Sequence, residues 1–146
     1  MTTTEAKEPI HLHWGFIGIV AAGGVFGALA RYGLGLVIPA PNAWPLPTLA
    51  INLSGALALG ALLEGLSRRG LDVGSRRVLR LALGTGFLGA YTTYSTLALD
   101  AVHLFTADEA LGAAGYLAAS LLGGAAATTA GIWLGAWHHR RATGKS

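Results

Sequence analysis

The third apolar segment of the chain is interrupted by a polar, glycine-rich run that reads Gly84-Thr85-Gly86-Phe87-Leu88-Gly89-Ala90-Tyr91-Thr92-Thr93-Tyr94-Ser95-Thr96. The run is too apolar for an exposed loop and too rich in glycine and hydroxyls for an uninterrupted helix in lipid. Backbone groups freed by a break need hydrogen-bond partners inside protein or a cavity, because hydrocarbon offers none. Broken helices at membrane depth are typical of ion sites. The run therefore predicts an ion site within a bilayer.

The composition agrees with a membrane protein, since 53% of the residues are hydrophobic, 12% are charged and the mean hydropathy is +0.54. A helix needs about 20 mostly apolar residues to cross a bilayer. Four stretches qualify, at about residues 14–38, 48–66, 78–105 and 110–137. These four stretches account for most of the chain. We therefore expect one all-α integral membrane domain over residues 1–146, with four transmembrane helices and the third broken at mid-membrane.

The basic residues fall on one side of these spans. The connection at 39–47 has no charge and the connection after span three has only Asp108 and Glu109, whereas the other connection and the C-terminal tail hold Arg68, Arg69, Arg76, Arg77, Arg80, Arg140, Arg141 and Lys145. Lys and Arg are retained in cytoplasmic loops, so both termini and the second connection are predicted inside. Because the first apolar run resumes beyond Arg31, we expect no cleaved signal peptide.

The sequence offers no constellation for catalysis or for a transition-metal site. His11, His13, His138 and His139 lie outside the spans, His103 is alone and cysteine is absent, which argues against such a metal site. No nucleophile–base set or paired carboxylates can be assembled, so an enzyme is not expected. Residues 84–89 match a dinucleotide fingerprint, but no βαβ unit surrounds them. Binding of nucleic acid is not expected either.

A few polar residues within the spans are candidates for ligand contact. Arg31 either extends to the interface or forms an electropositive mouth that attracts anions. Asn52, in span two, either bonds another helix or contacts a ligand. Tyr116 and Ser120 lie one turn apart on span four, where the default for such a serine is a bond to the carbonyl four residues earlier.

Three motifs resemble those of the fluoride channels called Fluc or CrcB. They occur in the family's order and cover most of the chain: Gly23-Gly24-Val25-Phe26-Gly27-Ala28-Leu29-Ala30-Arg31-Tyr32, Thr48-Leu49-Ala50-Ile51-Asn52-Leu53-Ser54-Gly55 and Gly86-Phe87-Leu88-Gly89-Ala90-Tyr91-Thr92-Thr93-Tyr94-Ser95-Thr96. The resemblance implies a passive, fluoride-selective channel that detoxifies the cytoplasm of a bacterium from its inner membrane.

The resemblance also implies an antiparallel, dual-topology dimer with a structural sodium ion at the subunit interface. Backbone carbonyls of Gly89 and Thr92 match the sodium ligands. The implied partners are the fluoride ion, the lipid bilayer and a second subunit of the same family. The positions that match the lining of the anion pathway are Asn52, Tyr94, Ser95, Thr96, Tyr116 and Ser120.

Two departures from the family pattern affect this prediction. The family's Thr-Thr-Phe-Ser-Thr-Phe ends here in Leu97 and has Tyr94 as its third residue, so one aromatic edge is lost and a pathway can be impaired. The one-sided charge disfavours insertion of a single sequence in both orientations, which predicts a heterodimer with an oppositely biased homologue. A small multidrug-type exporter and a non-conducting scaffold subunit are the alternatives, although span one lacks the carboxylate that such an exporter needs.

Overall fold

The computed structural model describes residues 13–143, and every regular element in that part is helical. His11 and Lys145, which entered the sequence arguments, lie outside the described residues. The helices are α1 (Trp14–Val37), α2 (Leu46–Ser67), α3 (Ser75–Leu79), a π-helix (Arg80–Leu88), α4 (Gly89–Tyr91), α5 (Tyr94–Thr106) and α6 (Ala110–Thr143), with one 3-10 turn at Pro41–Ala43. We call the continuous stretch from α3 through the π-helix to α4 the first half-helix, and α5 the second half-helix.

Three of these helices, α1, α2 and α6, are long and apolar enough to cross a membrane. This confirms an all-helical membrane protein. Proline sets two of the boundaries: α1 ends before Pro39, which disfavours helical geometry in the residue before it, and Pro47 lies in the first turn of α2, where its missing N–H costs nothing. The helix α6 runs on to Thr143, beyond the predicted end at 137, because the basic residues after Trp137 contain no helix breaker.

The predicted polar interruption is narrower in the structure than in the sequence. Residues 84–88 remain helical, as part of the π-helix, and only Thr92 (φ −78°, ψ 156°) and Thr93 (φ −146°, ψ 126°) adopt extended backbone between the two half-helices. The glycines at 84 and 86 do not end the helix, because they are buried and their backbone groups have no water to replace intrahelical bonds. We call residues 92–93 the break.

Glycines bring helix backbones into direct contact. A Cβ on Gly27 of α1 would lie 2.1 Å from the carbonyl oxygen of Phe87, and one on Gly131 of α6 would lie 2.1 Å from that of Leu57. Any larger residue at either position would force the helices apart. At Gly35 and Gly124, by contrast, a Cβ would meet nothing within 4 Å, so these two glycines make no such contact with the described residues.

The connection between α2 and α3 is tied down by arginines of the helix that follows it. Arg76 donates to the carbonyl oxygen of Leu71 (3.1 Å) and Arg77 to that of Asp72 (3.0 Å). Arg80 donates through Nε and Nη2 to Oδ2 of Asp72 at 3.0 and 2.7 Å. The hydrogen bond from Arg80 is the main reason that the pKa of the Asp72 carboxyl lies below its ordinary value. This exposed loop is therefore held in a defined shape.

We expect Asp72→Asn to raise amide hydrogen exchange in residues 70–75 at neutral pH while global stability changes little, because exposed ion pairs contribute little. A carboxyl whose folded pKa is lowered stabilises above its unfolded pKa, near 4, and loses that contribution as pH falls through the folded pKa. The difference from the parent chain should therefore shrink in acid. Asp108→Asn, in another loop, is the control. Equal exchange of residues 70–75 in both variants would show that the Arg80–Asp72 pair does not hold this loop.

Candidate functional site

The break is held by one side chain from α2. Nδ2 of Asn52 donates to the carbonyl oxygen of Thr93 at 2.9 Å, and the Thr93 N–H donates to Oδ1 of Asn52 at 2.8 Å. A side-chain amide has the same donor and acceptor as a peptide group, so it satisfies both backbone groups of one residue. We call this pair of bonds the amide clamp. It supplies the internal partners that an interrupted helix needs in lipid.

The clamp changes the pairing of two carbonyl groups. In a continuous helix the Thr93 N–H would donate to the Gly89 carbonyl, but it donates to Asn52 instead. The Thr96 N–H would donate to the Thr92 carbonyl, but it donates to the hydroxyl of Thr93 at 3.2 Å. The carbonyl oxygens of Gly89 and Thr92 therefore do not accept the N–H groups that would pair with them in a continuous helix. Both residues line an open cavity of about 380 Å³, which also reaches Asn52.

Hydroxyl groups gather where the second half-helix begins. The Thr93 side chain caps α5 and donates to the hydroxyl of Thr96 at 3.0 Å, while its oxygen lies 3.3 Å from that of Ser95. Tyr94, next to this cluster, is 82% exposed. The structure thus brings together Ser95, Thr96 and Tyr94, which the sequence singled out, around Thr93, which it did not. The signal for Thr93 was its place as a threonine N-cap.

A second contact holds the end of the first half-helix against α2. The hydroxyl of Ser54 lies 2.9 Å from that of Tyr91 and donates to the Ile51 carbonyl at 3.0 Å. Since Ser54 has one hydrogen to give, the buried Tyr91 is the donor in their pair. The Tyr91 ring stacks on Phe87 with centroids 5.8 Å apart. Neither Ser54 nor Tyr91 was predicted as a site residue, and both help to position the break.

The polar face predicted on span four exists in α6, and its two members differ. Tyr116 is fully buried, donates to Oδ2 of Asp100 at 3.3 Å and meets the Trp44 ring edge to face. The hydroxyl of Ser120 is buried next to that of Tyr116 and makes no well-formed hydrogen bond with residues 13–143. It does not make the default bond to the carbonyl four residues earlier, which Thr128 does make. A buried hydroxyl that still has a hydrogen to donate can contact a ligand.

The remaining predicted residues lie around these groups. Leu97 packs against the core cluster that contains Tyr116 and also lines the cavity at the break. Arg31 is half-buried in the last third of α1, and its side chain has no hydrogen bond or ion pair with the described residues. The structure therefore joins Asn52, Thr92, Thr96 and their neighbours into one site, with Tyr116 and Ser120 on a neighbouring helix and Arg31 apart.

Comparison with known proteins agrees with the three sequence motifs. The family described as CrcB-like protein, Camphor Resistance (CrcB), matches residues 18–132. A relative from Leifsonia xyli subsp. xyli, named fluoride-specific ion channel FluC 2, is 45% identical over 132 residues, which are 90% of this chain and 91% of that protein. The fluoride-specific ion channel FluC of Chloroflexus aurantiacus is 39% identical over 120 residues, which are 81% of this chain and 93% of that protein.

A third relative, fluoride-specific ion channel FluC 2 of Geobacillus kaustophilus, is 44% identical over 114 residues, which are 77% of this chain and 86% of that protein.

These relatives are named as ion channels and not as enzymes, so the expectation that the chain is not an enzyme is confirmed. With three membrane-crossing helices and bacterial relatives, the chain is a protein of the bacterial plasma membrane. The predicted resemblance is confirmed, and the chain belongs to the CrcB family.

Proposed function

We propose that the chain is a subunit of a fluoride-selective channel through which cytoplasmic fluoride leaves passively. The amide clamp is the main support for this proposal, because it fixes the positions of hydrogen-bond donors around Thr93. The relatives of this membrane protein are named as fluoride-specific channels. A small, strongly hydrated anion leaves water only for dense hydrogen-bond donors. One N–H of Asn52 remains after the clamp is made. The other proposed lining groups are the hydroxyls of Ser95, Thr96 and Ser120 and the ring edges of Tyr94 and Tyr116, since the hydroxyl of Tyr116 already donates to Asp100.

The same proposal includes a structural sodium ion at the break. The carbonyl oxygens of Gly89 and Thr92 lack their helical donors, and both residues line the cavity at the break. Neutral oxygens are suitable ligands for a hard cation. Two carbonyls from one chain are too few, so a second subunit would supply the matching pair. The bound ion would supply a fixed positive charge that offsets part of the cost of dehydrating an anion nearby.

Thr92→Ala tests whether the carbonyl or the hydroxyl of Thr92 holds the ion. We expect fluoride flux in sodium to stay within about twofold, since the substitution keeps the carbonyl and removes the bond from Oγ1 to the Leu88 carbonyl (3.0 Å) and the contact of the Thr92 methyl group with Gly55. Thr129→Ala is the matched control, because Thr129 makes the same bond to Ala125 away from the break. A loss of flux in Thr92→Ala alone would show that the hydroxyl is a ligand.

We further propose that the half-helices form a third span broken at mid-membrane and that the subunits assemble as an antiparallel dimer. The cluster of arginines in the α2–α3 connection, opposite a chargeless connection at 39–47, gives this chain one preferred orientation. The second subunit is therefore an oppositely biased homologue. Relatives numbered FluC 1 and FluC 2 are consistent with organisms that have two such chains.

Efflux from liposomes tests the proposal. The purified chain is reconstituted alone and together with its oppositely biased homologue, and fluoride, chloride and ethidium are followed. We expect fluoride efflux from the pair and little from the chain alone. Robust fluoride efflux from the chain alone would reject the heterodimer. Ethidium exchange would indicate the multidrug exporter, for which α1 lacks an acidic residue, and no flux in either sample would indicate a scaffold whose Leu97 blocks a pathway.

A further inference from the structure

A groove lies between the ends of α2 and α6, on the side of the molecule that holds the arginine-rich loop. Its volume is about 330 Å³. One part of the lining is small or apolar and the other is basic: Ala61, Gly65, Leu134 and Gly135, followed by Arg69, His138 and His139. None of these residues belongs to the break or to the proposed fluoride pathway, so the groove is a separate feature.

Aromatic side chains indicate the depth of this groove in the membrane. Trp133 and Trp137 stack with ring centroids 6.3 Å apart, and the Arg141 guanidinium lies 3.8 Å from the centre of the Trp137 ring. Tryptophan and arginine concentrate where hydrocarbon meets water. Helix α2 ends at Ser67, two residues before Arg69. The groove therefore lies at the level of the lipid headgroups.

The charge of the groove favours an anion. No acidic residue lines it. Glu64 directly precedes Gly65 and lies beside Gly135, but its carboxylate is engaged by Arg68, with Nε 2.5 Å from Oε1. The Arg69 side chain, by contrast, has no hydrogen bond or ion pair with any residue from 13 to 143. Basic pockets between transmembrane helices at the cytoplasmic surface typically bind anionic headgroups.

We propose that this groove binds the headgroup of an anionic phospholipid. The phosphate would be held by Arg69 together with His138 and His139, and the glycerol and the start of the acyl chains would lie over the small residues at Gly65 and Gly135. The apolar part of the lining favours a lipid over a free phosphate, which has nothing to place there. The proposal is independent of whether the chain conducts fluoride.

Two pairs of variants test the site from its basic and its apolar ends. Arg69→Gln removes the charge in the groove. Arg76→Gln is its control, because Arg76 does not line the groove and its side chain donates to the carbonyl oxygen of Leu71, so its removal exposes no carboxylate. Gly65→Leu fills the groove, and a Cβ at Gly65 meets nothing within 4 Å, so the variant should fold. Gly18→Leu is its control, because Gly18 has the same open surroundings in α1 and does not line the groove.

Native mass spectrometry of the detergent-purified chain, titrated with phosphatidylglycerol or phosphatidylcholine, gives the readout. We expect tighter binding of phosphatidylglycerol, about fivefold weaker in Arg69→Gln and Gly65→Leu, and unchanged in the two controls. Equal affinity for both lipids would overturn the proposal, as would full binding by both groove variants. Displacement of phosphatidylglycerol by millimolar inorganic phosphate would also overturn it, because the site would then be one for a free anion.

Discussion

Asn52→Ala should reduce fluoride flux by about 100-fold. The substitution leaves the N–H and the carbonyl of Thr93, both part-buried, without their side-chain partner, and an unpaired group costs up to about 1–3 kcal/mol where water does not reach it. The break would then lose its shape, and the carbonyls of Gly89 and Thr92 would regain helical donors or move. The pathway would also lose the remaining donor of Asn52. Flux is measured by fluoride efflux from liposomes that contain the proposed subunit pair.

The control for this variant is Asn42→Gly, which removes the other asparagine of the chain. Asn42 lies in the 3-10 turn with φ 51°, a geometry that glycine adopts without strain, so this variant should conduct normally. Asn52→Asp keeps an acceptor for the Thr93 N–H and loses the donor to its carbonyl. Normal conduction by Asn52→Ala would remove Asn52 from both the clamp and the pathway.

Gly27→Val should prevent the chain from folding into a stable assembly. The added Cβ would lie 2.1 Å from the Phe87 carbonyl oxygen and 2.9 Å from its carbonyl carbon. Both atoms belong to a backbone that cannot rotate away, so α1 and the first half-helix must separate, at a cost of at least 1–3 kcal/mol by analogy with overpacked cores. The measurement is the yield of monodisperse protein on size-exclusion chromatography in mild detergent.

Gly33→Val, six residues further along α1, is the matched control. A Cβ at Gly33 meets nothing within 4 Å, so the same substitution adds volume where there is room. We expect its yield to equal that of the parent chain. If Gly27→Val and Gly33→Val behave alike, the close approach of α1 to the first half-helix is not required for assembly.

Apolar length and proline positions predicted the long helices well. The ends of α1 and α2 fall within two residues of the predicted spans, because Pro39 and Pro47 restrict where a helix can end or begin. The exact break could not be predicted in the same way. Glycine, threonine and serine all lower helix propensity, so the sequence predicted an interruption over thirteen residues, 84–96. In the structure only two of them are extended, because the break forms where Asn52 bonds the backbone of Thr93.

The sequence predicted individual residues of the site but not the hydrogen bonds that connect them. Asn52 and Thr93 are 41 positions apart, and whether their groups meet depends on the register of α2 against the half-helices. Nothing in the spacing of either segment sets that register. For the same reason the sequence left both roles of Asn52 open, and the structure shows the helix-to-helix bonds directly. The Ser54–Tyr91 contact has the same long-range origin.

The amide clamp joins two segments of one polypeptide, and this affects how subunits would meet in the bilayer. Each chain would complete its half of the ion-binding surface while still a monomer, so docking would require little ordering of backbone. Encounters of this kind resemble the association of rigid bodies more than coupled folding and binding. The rate of pairing should then depend on diffusion and mutual orientation within the lipid plane.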